Sequence, residues 1–151
     1  MRGAMTTGKN AIEIEGLDHV VLRVRDLAAA LRFYGDVLGC AEERRLDDLG
    51  LVQLRAGRTL IDLVPLDSEL GRRGGAGPGR QGRNLEHFCL RIARFDEAAL
   101  RAHLAAHGID AGAVERRYGA DGFGPSIYIA DPDGNTVELK GPPDDDDRLP
   151  G

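Results

Sequence analysis

The sequence predicts an α+β domain built from two pseudo-symmetric βαβββ modules, and three observations predict it. First, Leu17-Asp18-His19-Val20-Val21-Leu22-Arg23-Val24 is matched 68 positions later by Leu85-Glu86-His87-Phe88-Cys89-Leu90-Arg91-Ile92, a shared pattern of leucine, acid, histidine, leucine, arginine and aliphatic. Second, each copy is followed by a helical apolar period and then by shorter strand-like pieces set off by glycines. Third, Leu60-Ile61-Asp62-Leu63 late in the first half matches Thr136-Val137-Glu138-Leu139 late in the second. Self-similarity at a fixed offset marks a repeated supersecondary unit. Half the chain is too small for a core of its own, so the two modules make one domain.

The elements follow in order. Residues 1–13 read as a disordered N-terminal leader, polar and aperiodic. Module 1 covers about 14–66. Its first strand carries His19, and its helix is N-capped by Asp26. Leu27, Leu31, Tyr34 and Leu38 recur there at helical steps, and Gly39 stops the helix. Gly50 and Gly57 punctuate the three strands that follow. Residues 67–84 form a Gly/Arg-rich linker with no strand before it and no helix after it, which excludes a phosphate-binding loop. Its Arg72, Arg73, Arg80 and Arg83 suit either a lid that attracts an anionic substrate or a plain solvated connection. Module 2 covers about 85–141, with a helix from about Asp96 to His107 ended by Gly108. Turns follow at Gly119 to Pro125 and at Asp131-Pro132-Asp133-Gly134. The consecutive aspartates of 142–151 read as an acidic, disordered tail.

Composition narrows the function classes. The chain has 151 residues, 42% hydrophobic and 30% charged, which suits a globular domain rather than a disordered one. A net charge of −5 predicts no nucleic-acid partner. With no apolar run near ~18 residues and no signal-peptide core, no membrane association and a cytoplasmic location are expected. Two cysteines, Cys40 and Cys89, are too few for a disulfide framework or a cysteine-rich zinc site.

Strand alternation sorts the polar residues. His19, Val21 and Arg23 share one face of the first strand, opposite Val20, Leu22 and Val24. Their counterparts His87, Cys89 and Arg91 share a face opposite Phe88, Leu90 and Ile92. Asp62 and Glu138 lie at matching positions on the last strand of each half. Two imidazoles and a carboxylate suit a divalent first-row metal and leave positions open for substrate, so His19, His87 and Glu138 are the candidate ligands. His103 and His107 stand at i, i+4 without the intervening glutamate of a zinc-protease helix, and read as an exposed helix face. Cys89 reads as a buried, inert thiol or a residue lining the polar face.

These residues resemble the vicinal oxygen chelate superfamily: glyoxalase I, fosfomycin-resistance proteins, bleomycin-resistance proteins and extradiol dioxygenases. The resemblance runs from Gly16 to Lys140 and is carried by LDHVVLRVRDLAAALRFYGDVLG, LEHFCLRI and DPDGNTVEL. It implies that the modules form an open, cup-shaped mixed sheet around a metal held by His19, His87 and Glu138. The extra glutamate ligand of bacterial glyoxalase I falls at Asp62, one methylene shorter. Its glutathione-contacting arginine falls at Arg23, whereas the asparagine expected four residues after the fourth-strand acid is Leu66. The dioxygenase pattern is half met: Tyr128 to Gly134 and then Glu138 fit, but Gly119 to Asp121 occupy the place of its upstream histidine.

The leading expectation is therefore a metal-dependent lyase or isomerase resembling glyoxalase I. Its cofactor is a divalent ion (Ni, Co, Zn, Mn or Fe), and its small substrate chelates that ion through adjacent oxygens. Glu138 or Asp62 serves as general base, Tyr128 as a hydrogen-bond donor, and Arg23 and Arg91 bind an anionic part of the substrate. The resemblance also implies a homodimer whose cups are completed across the interface. The alternatives are an Fe(II)-dependent ring-cleaving dioxygenase, a fosfomycin-type transferase, and a non-catalytic small-molecule binder.

Overall fold

The computed structural model describes residues 11–144. Most of the leader (1–10) and of the acidic tail (145–151) lies outside the described residues. Module 1 comprises β1 (His19–Val24), α1 (Leu27–Leu31), β2 (Ala41–Leu46), β3 (Leu51–Ala56) and β4 (Thr59–Pro65). Module 2 comprises β5 (Phe88–Arg91), α3 (Glu97–Ala106), β6 (Glu115–Gly119), β7 (Gly122–Ala130) and β8 (Thr136–Lys140). A short helix, α2 (Glu69–Arg72), lies between them in the linker.

The expected strand–helix–strand–strand–strand unit thus occurs twice, as two four-stranded mixed sheets ordered β1-β4-β3-β2 and β5-β8-β7-β6. The first strand of each module pairs in parallel with the last, His19 opposite Leu60 and Cys89 opposite Glu138. β1 and β5 are both edge strands of their sheets. The apolar faces, with Leu22, Val24, Ile61 and Leu63 from one module and Ile127, Ile129, Val137 and Leu139 from the other, meet in a common core.

Two local features differ from the expectation. The first helix keeps its Asp26 cap, which accepts from the Ala29 N–H at 3.0 Å, but residues Arg32–Val37 wind as a π-helix. Gly35 and β-branched Val37, both weak α-formers, lie in that stretch. The linker is not irregular throughout, because the Ser68 hydroxyl caps α2 by accepting from the Gly71 N–H at 3.0 Å. Gly71 is required there: a Cβ at this position would lie 1.9 Å from the Pro65 carbonyl oxygen. Gly71→Ala is expected to cost more than about 3 kcal/mol, since backbone must move to accommodate the methyl group. Chemical denaturation of the variant measures this.

Polar contacts tie the modules together. The Tyr34 hydroxyl, buried in α1's π-helical continuation, donates to Asp131 at 2.7 Å. The Arg25 N–H donates to Asp133 at 2.9 Å, and the Asn84 amide donates to Asn135 at 3.2 Å. His103 Nε2 donates to the Val37 carbonyl at 2.7 Å, so this histidine joins the modules rather than standing on a free helix face. Burial, and then Asp131, push the Tyr34 hydroxyl far above its ordinary pKa, and it stays a donor. Tyr34→Phe is expected to cost about 1.5–3 kcal/mol in a denaturation midpoint experiment, because the hydroxyl serves a buried carboxylate.

Candidate metal centre

On the face of module 1 opposite the core, register and alternation align His19, Val21 and Arg23 of β1 with Asp62 of β4 and Gln53 of β3. His19 Nδ1 lies 2.8 Å from Asp18 Oδ1. A carboxylate there selects the tautomer protonated at Nδ1 and leaves the Nε2 lone pair for a ligand. The Asp18 hydrogen bond and the Asp62 charge raise the His19 pKa, with partial desolvation acting against them. Asp62 is 3% exposed; one oxygen accepts from the Gln53 amide at 3.0 Å, and the other is buried without a partner.

Module 2 repeats the arrangement. His87 Nδ1 pairs with Glu86, its preceding acid, and His87 Nε2 lies 3.3 Å from Glu138 Oε1. The other Glu138 oxygen accepts from the Ser126 hydroxyl at 2.6 Å. Tyr128, opposite Glu138 in the ladder, packs its ring edge-on to His87 with centroids 5.7 Å apart. Burial, followed by the Glu138 charge, raises the Tyr128 pKa, so the phenol remains protonated and can donate. Cys89 is exposed on this face, which corrects the reading of a buried thiol; Cys40 is the buried one. Partial desolvation and Glu138 push the Cys89 thiol up to about 11, so it is no thiolate at neutral pH.

These residues fit a divalent metal. An imidazole whose Nδ1 proton is tied to Glu86 turns a lone pair toward a carboxylate oxygen, and two such acceptors need a cation or proton between them. The unpartnered Asp62 oxygen is likewise an acceptor awaiting a donor or cation. The structure brings His87 and Glu138 together, and sets Asp62 within electrostatic reach of His19. It does not gather the whole set: among the described residues of one chain, no group of three or more His, Cys, Asp or Glu side chains is placed to hold a metal. The donors form two separate pairs.

The two arginines differ in their use. Arg23, expected to meet an anionic substrate, instead donates to the carbonyls of Gly71, Gly75 and Ala76 at 3.0–3.1 Å. It therefore holds the linker, and Gly74 allows the close approach, because a Cβ there would lie 2.4 Å from the guanidinium carbon. Arg91 is half-exposed and pairs with Asp121 at 2.6 Å, at the turn between β6 and β7. At the start of the acidic tail, Asp144 pairs with Arg116 at 3.0 Å, so this residue packs against β6 rather than extending into solvent.

Sequence reasoning missed four residues of the site: Asp18, Glu86, Gln53 and Ser126. For the first two the signal was present, because the repeat preserves an acid immediately before each histidine. Gln53 and Ser126 are recognisable once the strand register is known.

Comparisons with known proteins agree with the fold. The catechol-2,3-dioxygenase of Bacillus subtilis is 27% identical over 82% of this chain and 40% of its own length. The virulence protein STM3117 of Salmonella typhimurium is 29% identical over 131 residues, 83% of each protein. Its crystal structure superposes with a TM-score of 0.71, over 87% of this chain and 99% of that one. Lactoylglutathione lyase from Agrobacterium tumefaciens, 27% identical, superposes with a TM-score of 0.62 over 85% and 95% of the respective chains. Among the described residues no helix is long and apolar enough to cross a membrane. Residues 16–139 match the family described as the Glyoxalase/Bleomycin resistance protein/Dioxygenase superfamily, and with the duplicated modules and paired donors already in view, the chain belongs to that superfamily.

Proposed function

We propose that this protein is a metal-dependent lyase or isomerase of the glyoxalase I kind, acting on a small substrate with two adjacent oxygens. It works as a homodimer in which the His19–Asp62 pair of one copy faces the His87–Glu138 pair of the other. The observation that carries the reading is the pairing itself: equivalent strands present equivalent donor pairs, and neither pair suffices to hold a metal. His19, His87 and Glu138 would hold the ion. When bound, a divalent metal there supplies Lewis-acid polarisation of the substrate's two oxygens.

The chain's own residues divide the remaining work. Both Glu138 oxygens have neighbours, Ser126 and His87, so this carboxylate is fixed in place. Asp62 has one oxygen anchored by Gln53 and one buried without a partner, which suits a base that takes and returns a proton. Tyr128 donates a hydrogen bond toward the developing negative charge on substrate oxygen. Arg91 meets an anionic part of the substrate. Arg23 shapes the rim through the linker, and with Leu66 at the expected asparagine position this leaves little of a glutathione site.

Mixing two inactive variants tests the reading. His19→Ala and Glu138→Gln chains each lack one ligand, from different donor pairs, and should bind no tight metal alone. After random reassortment, half of the dimers are mixed, and each mixed dimer holds one intact site of two. Metal uptake by equilibrium dialysis should recover to about one quarter of the wild-type level. No recovery would refute the shared site. Proton exchange on aldehyde–thiol adducts, activated by Ni or Co, is the expected activity; Fe(II)-dependent oxygen uptake on catechols would instead place the protein with the dioxygenases.

A further inference from the structure

We propose that Lys140 is an anion anchor on the cup face of module 2, and that the substrate is a small monocarboxylic acid whose carboxylate it holds. The inference rests on the lyase or isomerase reading for the substrate's pair of adjacent oxygens and adds the chemical class of the rest of the molecule.

The sequence singles this residue out. Of the 20 basic side chains all but Lys9 and Lys140 are arginine. The lysine within the domain is not on the surface: Lys140 is 7% exposed. Taking an ammonium out of water is costly unless an anion compensates it. Among the described residues Lys140 forms no ion pair. Its Nζ donates to the Gly122 carbonyl at 2.9 Å, which uses one of three N–H bonds.

Strand register turns that charge toward the candidate metal centre. Alternation along β8 sets Lys140 on the face of Glu138, and its ladder partner Ser126 is the residue whose hydroxyl Glu138 accepts. On its other side Lys140 stands opposite Arg91. Like charges opposed on neighbouring strands repel, and Asp121 answers Arg91 at 2.6 Å. One positive charge is therefore left over. Lys140 and Arg91 both act on the Cys89 thiol, against the larger effects of burial and Glu138, so the charge is felt on this face. Glycine keeps the space around the stem open, because a Cβ at Gly119 would lie 3.0 Å from Lys140 Cε and 3.2 Å from its Cδ.

These features define the ligand. A single ammonium neutralises a single carboxylate, whereas a dianionic phosphate or phosphonate keeps a charge unanswered in a partly desolvated site. Lys140 stands two residues beyond Glu138, roughly 7 Å along the strand. A carboxylate about three carbons from the oxygen pair bridges that span.

With Lys9 as the internal reference, carbon-13 at the lysine Cε makes the anchor directly observable by NMR, and Lys140→Met identifies its resonance. The probes are the monohydroxamate of glutaric acid, which offers two adjacent oxygens and a carboxylate, and its methyl ester, which offers the oxygens alone. On the Zn-loaded full chain the acid should move the Lys140 resonance and the ester should not. Calorimetry should find the acid about 10- to 100-fold tighter than the ester, and Lys140→Met should bring the acid down to the ester's affinity. Equal binding of acid and ester with the Lys140 resonance unmoved overturns the anchor and leaves the metal reading standing. Glutarate on metal-free protein tests the converse. If it moves Lys140 while neither hydroxamate gains from added Zn, the anchor holds and the metal reading fails. A lysine that only pins the β6–β7 turn through Gly122 is silent to every acid, and that result also overturns the anchor.

Discussion

Asp62→Asn is expected to lower turnover by about 10²- to 10⁴-fold while leaving most of the metal bound, the range typical of losing a general base. The substitution keeps the shape of the side chain and removes its ability to take a proton. Asp62 is 3% exposed, its Oδ2 is fixed by the Gln53 amide, and its Oδ1 lacks a hydrogen-bond partner. Its side chain is one methylene shorter than a glutamate, which limits its reach as a direct ligand. A ligand bond spans only about 2.2 Å. Metal content by elemental analysis, measured beside turnover, separates the two roles. Loss of metal as severe as in Glu138→Gln would make Asp62 a ligand instead.

Glu138→Gln should show the opposite balance, with metal affinity falling by more than about 100-fold and activity falling with it. Changing a residue that merely orients a ligand typically costs 10–100-fold, and direct removal of an anionic donor exceeds that. The amide keeps the volume of the buried side chain and can still accept from Ser126, so the fold should be retained. His87→Ala should resemble Glu138→Gln, because the two side chains lie 3.3 Å apart and act as one donor pair. Calorimetric titration with Ni and Co on metal-free protein measures both variants. Near-normal affinity in Glu138→Gln would remove this carboxylate from the ligand set.

The site's residue types were legible because they depend on local regularities. Period-two alternation put His19 and Asp62 on one sheet face, in agreement with the β1–β4 register. His87 stands one residue before β5 and is related to Glu138 by its 3.3 Å approach rather than by a ladder register. The acid before each histidine was also visible, although its purpose became clear only when Asp18 and Glu86 were seen holding Nδ1. Arg23 went the other way. Its strand face was read correctly, yet its partners are linker carbonyls 48 to 53 residues away, a contact that no local pattern encodes.

Local patterns suffice for the duplication, the order of the strands and main helices, the sheet face of His19, Asp62 and Glu138, and the family resemblance. These follow from short-range sterics and from apolar periodicity, which each strand and helix carries on its own. The tertiary structure alone decided that one chain offers two donor pairs rather than one assembled set, that Gln53 engages one Asp62 oxygen, and that Cys89 is exposed while Cys40 is not. Those outcomes depend on how two sheets pack through their apolar faces onto a shared core. That arrangement is settled by summed burial across the whole domain, and no stretch of sequence specifies it alone.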